Sequence, residues 1–256
     1  MKLEKYHGCG NDFLITEDLS LIYNPEEIKK MCLPKVGLEA DGLIIVKTNP
    51  LEMLIYNADG SFANMCGNGI RCFTHYCYLH NLLKGNNGEI LTHDGKKTVE
   101  IKSLNPFICQ IMMGAIVPFK KLKLNYDTQE FLVYSINFGV PHIVIYTSEL
   151  DEEKIKKIGS YFSLHPSFKE GTNVNFVKKI DEETLYVTTY ERGAGLTLAC
   201  GTGSCASYIV SRGLNIITKE QITVKFKYQS LKISEKDGFI YMEGPSTKIA
   251  EIKWQE

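Results

Sequence analysis

Short apolar runs separated by turn-forming residues recur along the chain and predict a protein rich in strands. β-branched and aromatic residues, which strands favour, dominate the runs at 43–47, 51–56, 173–177 and 184–190. An Asp-Gly pair at 94–95 predicts the turn of a hairpin between residues 89 and 103. Capping residues followed by acidic ones predict two helix starts, at Asn24 and Asp151.

A Cys-Gly-x-Gly step occurs twice, at Cys66 and at Cys200, and each copy opens an apolar segment typical of a helix. We expect the first helix to end at residues 84–85 (Lys-Gly) and the second at 212–213 (Arg-Gly), because glycine commonly ends helices. Each helix lies among predicted strands. The repeated order predicts an α+β fold of two pseudo-symmetric lobes, each a mixed or antiparallel sheet wrapped around a central helix, with the active site in the cleft between them. We place their boundary near Pro118.

The composition excludes several classes of partner. The chain has 256 residues, 44% hydrophobic and 23% charged, which is typical of a globular protein. A formal net charge of -1 without a basic stripe argues against nucleic acid or an anionic membrane as the main partner. No apolar run approaches the ~20 residues of a membrane helix, and the N-terminus lacks the apolar core of a signal peptide. We therefore expect a cytoplasmic protein.

Eight cysteines are many for a cytoplasmic chain, yet no Cys-x-x-Cys occurs among them. Zinc-ribbon and thioredoxin-like sites therefore lack their usual sequence pattern, and we predict no metal site. Most of the cysteines are interpreted as small buried hydrophobic residues. Four lie in apolar segments and are assigned to the core: Cys72, Cys77, Cys109 and Cys205.

A cysteine that precedes a helix lies where unpaired backbone N–H groups and the helix dipole favour negative charge, so its thiol is shifted towards thiolate. The Gly-x-Gly that follows leaves room for a carboxylate to approach the same N–H groups. Two such helix starts facing each other would place Cys66 and Cys200 on opposite sides of one α-carbon. One thiolate and one thiol could then invert a stereocentre by proton exchange, without a metal or pyridoxal cofactor.

One Cys-Gly-x-Gly step alone is a weak signal, and its recurrence in a matching position is what favours catalysis. Longer motifs accompany it and resemble the blocks of the diaminopimelate epimerase family, in that family's order and from end to end of the chain. They lie at residues 7–13 (His-Gly-Cys-Gly-Asn-Asp-Phe), 57–61 (Asn-Ala-Asp-Gly-Ser), 65–73 (Met-Cys-Gly-Asn-Gly-Ile-Arg-Cys-Phe), 190–193 (Tyr-Glu-Arg-Gly) and 199–206 (Ala-Cys-Gly-Thr-Gly-Ser-Cys-Ala).

The resemblance implies a cofactor-independent isomerase of the cytoplasm that interconverts LL- and meso-diaminopimelate, a step towards lysine and peptidoglycan. It also implies that the last strand returns to the first lobe. The N-terminal lobe is then 1–117, completed by 247–256, and the C-terminal lobe is 118–246. The partner expected is a small amino acid substrate, and a homodimer is left open.

The resemblance also assigns the site residues. Cys66 and Cys200 match the catalytic pair. The substrate contacts are Asn11 of the opening motif, Gly67, Asn68, Gly201 and Thr202 at the helix starts, and Asn57, Asn173, Glu191 and Arg192 at the distal end of the substrate. An arginine with two amides suits a carboxylate, and a glutamate suits an ammonium group.

One departure from the family pattern bears on substrate choice. Val140 stands in a Gly-x-Pro-His turn where many members have asparagine that helps to bind the distal end. Two alternatives therefore stay open: epimerisation of another amino acid, such as lanthionine, and racemisation of a single-ended amino acid by the same two cysteines. A third alternative, from another class, is a redox-sensing or metal-binding cysteine protein.

Overall fold

A computed structural model of the chain describes residues 1–149 and 151–255; Glu256, the end of the last predicted segment, lies outside the described residues. Strands dominate and helices are few, which confirms the predicted α+β class. The helices are α1 (Pro25–Cys32), α2 (Gly67–Leu79), α3 (Glu152–Ser163) and α4 (Gly201–Gly213), with one 3-10 turn at Leu19–Tyr23.

The strands are numbered in chain order. They are β1 (Lys2–Gly8), β2 (Asn11–Thr16), β3 (Gly42–Thr48), β4 (Leu51–Asn57), β5 (Phe62–Ala63), β6 (Asn87–Thr92), β7 (Gly95–Leu104), β8 (Phe107–Ala115), β9 (Phe119–Tyr126), β10 (Gln129–Phe138), β11 (Val140–Tyr146), β12 (Asn173–Lys179), β13 (Thr184–Glu191), β14 (Gly195–Thr197), β15 (Gln221–Lys225), β16 (Ser230–Lys236), β17 (Phe239–Pro245) and β18 (Thr247–Lys253).

The chain forms two compact units, one of residues 1–112 with the segment from 243 onwards and one of residues 113–242. In the first unit, β1 pairs antiparallel with both β2 and β18, and β6 and β7 form a hairpin. The pairing then runs β2–β3 parallel, β3–β4 antiparallel and β4–β6 parallel. Helix α2 packs against β1 to β4 and β18.

The second unit repeats this order. Strands β11 and β12 are parallel, β12 and β13 antiparallel, and β13 and β15 parallel. Antiparallel strands flank this run, with β9 and β10 on one side and β16 on the other. Helix α4 packs against β10 to β13 and β16. Each unit is therefore a mixed sheet around one central helix, as the sequence repeat predicts.

The two outer helices begin where capping residues predict. The Asn24 side chain accepts a hydrogen bond from the backbone N–H of Glu27 at 3.2 Å, and Asp151 accepts one from Lys154 at 2.8 Å. Both helices bury one apolar face. Met31 of α1 lies in one core cluster with the β3 strand, and Phe162 of α3 lies in another with β12.

The predicted end of α2 at residues 84–85 is wrong, because the helix stops at Leu79. Asn81 adopts a left-handed backbone (φ 56°), a conformation that asparagine tolerates and that ends a helix as glycine would. The predicted turn at 139–141 is shorter than expected, since Val140 already belongs to β11. Within the described residues no helix is both long and apolar enough to cross a membrane.

Candidate active site

Cys66 is the N-cap of α2. Its backbone is extended (φ -139°), and its sulfur accepts a hydrogen bond from the backbone N–H of Gly69 at 3.4 Å. The side chain is half-buried. The backbone N–H groups of the first helical turn and the positive end of the helix dipole therefore lie beside the sulfur. This is the environment that the Cys-Gly-x-Gly step predicts for the first cysteine.

Asn11 connects Cys66 to the opening motif. Its side-chain oxygen lies 3.7 Å from the Cys66 sulfur and accepts a hydrogen bond from the Asn68 amide at 3.2 Å. The Asn11 amide nitrogen donates to the Asp41 carboxylate at 2.7 Å. Three of the predicted site residues, Asn11, Cys66 and Asn68, thus form one hydrogen-bonded cluster.

Arg71 fixes the other end of this cluster. Its guanidinium is fully buried and donates to the Asn68 side-chain oxygen at 2.9 Å, to the Gly67 carbonyl at 3.0 Å and to the Pro245 carbonyl at 3.1 Å. The Asn68 amide is oriented as a result: its oxygen faces Arg71 and its nitrogen faces Asn11. The start of α2 is therefore held in place from within the unit.

Cys200 repeats the arrangement at the start of α4. It is the N-cap, and its sulfur accepts from the Gly203 N–H at 3.4 Å. The Thr202 hydroxyl lies 3.5 Å from the same sulfur. The side chain is 5% exposed, more deeply buried than that of Cys66. Gly201 and Thr202 form the first turn of α4, where the sequence places substrate contacts.

Asn173, Glu191 and Arg192 lie together where β12 begins and β13 ends. The Asn173 side-chain oxygen accepts from the Arg192 backbone N–H at 2.9 Å, and the Glu191 carboxylate accepts from the Thr197 hydroxyl at 2.7 Å. Arg192 also donates to the Glu170 carbonyl. Charges of both signs, on Glu191 and Arg192, are therefore adjacent in this cluster.

Asn57 lies at the end of β4 and donates to the Ser61 hydroxyl at 2.9 Å. This bond closes the loop before Cys66, and a role of Asn57 in binding stays a prediction.

Against Gly203 in the first turn of α4, a buried network joins His142 and Asn175. The Asn175 amide donates to His142 Nδ1 at 3.2 Å, so the neutral ring accepts at Nδ1 and carries its proton on Nε2. Burial lowers the pKa of His142 to about 3, and the ring stays neutral near pH 7. A neutral histidine adds no charge to the start of α4.

The four cysteines assigned to the core are buried, as predicted. Burial raises the pKa of the Cys72 and Cys109 thiols to about 12, and that of Cys77 further still. These thiols remain protonated and unreactive near pH 7. In the described part of the chain, no group of three or more His, Cys, Asp or Glu side chains is arranged to hold a metal ion.

Sequence reasoning missed Asp41, Arg71 and Thr197, each of which holds a predicted site residue in place. Arg71 lies inside a recognised motif, but only its burial reveals its role. Asp41 stands in an Ala-Asp-Gly step just before β3, where an acidic residue at the edge of a buried strand is a signal that could have been followed.

Comparison of the sequence with known proteins finds a matching family. A family model described as diaminopimelate epimerase matches residues 3–118 and 134–249. A diaminopimelate epimerase from Clostridium perfringens is 39% identical over 98% of this chain and 98% of its own length. Another, from Caldanaerobacter subterraneus subsp. tengcongensis, is 36% identical over 97% of each chain.

Among solved structures, a hydroxyproline epimerase from Agrobacterium vitis superposes with a TM-score of 0.76 over 98% of this chain and 91% of that one. The two share 11% of their residues, so this likeness concerns the fold alone.

Proposed function

The chain belongs to the diaminopimelate epimerase family, and from that premise we propose that it interconverts LL- and meso-diaminopimelate. The observation that carries the proposal is the matching pair of helices α2 and α4, each capped by a cysteine whose sulfur accepts a backbone N–H. Relatives named for this activity, similar over nearly the whole chain, support the choice of substrate.

The proposed reaction moves two protons and needs no cofactor. The thiolate of one cysteine takes the α-proton, and the thiol of the other gives its proton to the opposite face of the same carbon. Each turnover exchanges the protonation states of Cys66 and Cys200, so the reverse reaction uses the same pair. The N–H groups of the two helix starts stabilise the charge that develops on the substrate carboxylate.

The clusters in each unit support the binding of both ends of the substrate. Gly67 with Asn68, and Gly201 with Thr202, would hold the carboxylate of the reacting end through helix N–H groups. At the distal end, Arg192 with the amides of Asn57 and Asn173 suits a carboxylate, and Glu191 suits the ammonium group. A substrate with an amino acid group at each end uses every one of these contacts.

Deuterium exchange tests the proposal. The purified protein, kept reduced, is given LL- or meso-diaminopimelate in deuterated water. We expect one deuterium at one α-carbon and interconversion of the two isomers. Cys66→Ala and Cys200→Ala should lose interconversion while staying folded. Cys205→Ala, which changes a buried cysteine of the same helix α4, is the matched control and should keep it. Full turnover in either active-site variant would refute the mechanism.

The same assay decides between substrates. Lanthionine and several single-ended amino acids are run beside diaminopimelate. Exchange confined to one of these amino acids would support the two-cysteine mechanism with that compound as the substrate. Val140 is the residue that would explain the different substrate. If no amino acid shows exchange, a redox or metal-binding role of the cysteines would be favoured.

The homodimer and the cytoplasmic location stay predictions. Light scattering on the purified protein tests whether it is a homodimer.

A further inference from the structure

We propose that Asp41 is a positioning residue: by orienting the Asn11 amide, it keeps Cys66 as the protonated thiol in the resting protein and leaves Cys200 as the thiolate. This inference rests on the proposed function, because it assigns the starting protonation states of the same two cysteines. It makes the two helix starts unequal although the sequence repeat makes them look alike.

The first step is the orientation of Asn11. One oxygen of the Asp41 carboxylate accepts from the Asn11 amide nitrogen at 2.7 Å and from the Asp12 backbone N–H at 3.0 Å. A carboxylate only accepts hydrogen bonds, so the amide of Asn11 must turn its NH₂ group towards Asp41. Its oxygen is then turned the other way, to within 3.7 Å of the Cys66 sulfur.

A second contact fixes the same orientation independently. The Asn68 amide nitrogen donates to the Asn11 oxygen at 3.2 Å, and Asn68 cannot reverse its own amide because Arg71 donates to its oxygen at 2.9 Å. The guanidinium of Arg71 has only donors to offer. The direction of the Asn11 oxygen is thus set from both sides.

The consequence for Cys66 is chemical. Its thiol can donate S–H to the Asn11 oxygen, whereas its thiolate would face the partial negative charge of that oxygen. At Cys200 the corresponding neighbours are different. The backbone N–H of Gly203 donates to the sulfur just as that of Gly69 does at Cys66. The difference is the side chain beside the sulfur: the Asn11 oxygen can only accept, whereas the Thr202 hydroxyl is able to donate to a thiolate. A thiolate is therefore better stabilised at Cys200, and in the resting protein the proton lies on Cys66.

The charged groups around Asp41 are consistent with a positioning role. The Asp41 backbone N–H donates to the Asp12 carboxylate at 3.1 Å, and Lys5 forms an ion pair with Asp12 at 2.7 Å. Burial raises the pKa of the Asp41 carboxyl above its ordinary value, the hydrogen bonds from Asn11 and the Asp12 backbone N–H lower it, and the Asp12 carboxylate raises it. The oxygen of Asp41 that faces Asn11 accepts both of those hydrogen bonds.

The proton balance of a turnover follows. The Cys200 thiolate takes the α-proton of the substrate, and the Cys66 thiol delivers its proton to the opposite face. After the product has left, Cys200 is a thiol and Cys66 is a thiolate. A reverse turnover, or proton exchange with water, restores the resting state.

The test measures alkylation of each cysteine without substrate. Reduced protein is treated with iodoacetamide over a series of pH values, and the peptides that contain Cys66 and Cys200 are quantified by mass spectrometry. Because the thiolate is the reactive form, the midpoint of each rate profile reports where that thiol loses its proton. The two thiols form a coupled pair, so the comparison is between two apparent midpoints. We expect the midpoint for Cys200 to lie below that for Cys66.

Variants of Asp41 identify its role. In Asp41→Ala the Asn11 side chain keeps only its contact with Asn68 and can move its oxygen away from the Cys66 sulfur. The Cys66 midpoint should then fall by about one pH unit, a tenfold faster alkylation at neutral pH. Asp41→Asn should restore the wild-type profile, because its amide oxygen can accept the same two hydrogen bonds while its NH₂ faces Asp12. Asp94→Ala, which removes a carboxylate beside Lys97 in the β6–β7 hairpin, is the control and should change neither midpoint.

Two results would overturn the proposal: a wild-type midpoint for Cys66 at or below that of Cys200, or an Asp41→Ala protein that melts earlier with both midpoints unchanged. The wild-type comparison needs no variant, so it decides even if Asp41→Ala fails to fold. Deuterium exchange into diaminopimelate is measured in parallel. If no deuterium enters diaminopimelate, the proposed function is refuted. The alkylation profiles would still show which cysteine is protonated in the resting protein.

Discussion

The side-chain oxygen of Asn175 occupies the space that a side chain on Gly203 would need. Asn175 is fully buried and cannot easily retreat. Its oxygen accepts from the Thr189 hydroxyl at 3.0 Å, and its nitrogen donates to the Ile143 carbonyl at 3.0 Å. The first turn of α4 therefore lies directly against a rigid amide, and the second glycine of the Cys-Gly-x-Gly step at Cys200 is required by packing.

Gly203→Ala should damage both stability and activity. Its methyl group would overlap the Asn175 oxygen and displace the helix start whose N–H bonds the Cys200 sulfur. Overpacking of this kind costs about 1–3 kcal/mol of unfolding free energy. Urea unfolding measures that loss, and deuterium exchange into the substrate measures the effect on Cys200.

The matched variant in the first unit is Gly69→Ala. A methyl group there would meet Ile55 at 2.9 Å and Ile44 at 3.3 Å, and both contacts are the ends of flexible side chains. These can move aside, so the loss of stability should be smaller than for Gly203→Ala. Equal losses in the two variants would contradict the packing argument.

Arg71→Lys tests the buried guanidinium behind Cys66. Arg71 donates to two carbonyls and to the Asn68 side chain, and its Nη2 lies 3.4 Å from the Cys9 sulfur. A lysine ammonium cannot reproduce this planar set of bonds, and acceptors left unpaired in the interior cost about 1–3 kcal/mol each. We expect a loss of at least about 2 kcal/mol in denaturant unfolding.

Arg212→Lys is the control for that experiment. Arg212 lies in the last turn of α4 and donates an exposed hydrogen bond to the Thr218 carbonyl. Water can replace this bond, so the substitution should be nearly neutral. If Arg71→Lys is no more destabilising than Arg212→Lys, the buried network does not hold the start of α2.

The sequence predicts the two cysteine-capped helices because their signal is local. In each helix, the capping cysteine, the two glycines and the apolar face all lie within one short segment. The end of α2 was misjudged for a local reason too, since Asn81 took the left-handed conformation expected of a glycine. Strand β9 was not predicted, because its lysines break the apolar pattern along residues 119–126.

The contacts that support the site could not be predicted, because they join distant parts of the chain. Asp41 holds Asn11 across 30 residues of sequence, and Arg71 reaches the Pro245 carbonyl across 174. Cys66 and Asn11 are themselves 55 residues apart. From the sequence, only the resemblance of both motifs to one family predicts that they belong to the same site. Spacing within a motif carries no information on such pairs.

His142 predicts how stability depends on pH. Burial lowers its pKa from 6.5 to about 3 in the folded protein. Between those values the unfolded chain binds one proton more than the native protein, so stability is retained above pH 6.5 and falls as the pH falls, by about tenfold in the folding equilibrium per pH unit. His142→Gln removes this contribution.

The measurement is urea unfolding of wild type and His142→Gln at several values from pH 7 to pH 4. Wild type should be the more stable at neutral pH, and the difference should shrink as the solution is acidified. The pKa of His75 is also lowered by burial, to about 4, but His75 is present in both proteins and its effect cancels. Parallel profiles for the two proteins would show that His142 does not titrate as its burial requires.

Val140→Asn tests the one departure from the family pattern. Val140 follows Gly139, whose backbone is left-handed (φ 75°), and its side chain is 37% exposed at the start of β11. Asparagine there would add one hydrogen bond to a charged group at the distal end of the substrate, which is worth about 1.5–3 kcal/mol. Because this contact forms equally in ground and transition states, KM should fall by about tenfold or more while kcat changes little. Val140→Leu, which adds no polar group, should leave KM for diaminopimelate unchanged or higher. A Val140→Asn protein with unaltered KM would mean that the distal end of the substrate does not reach this position.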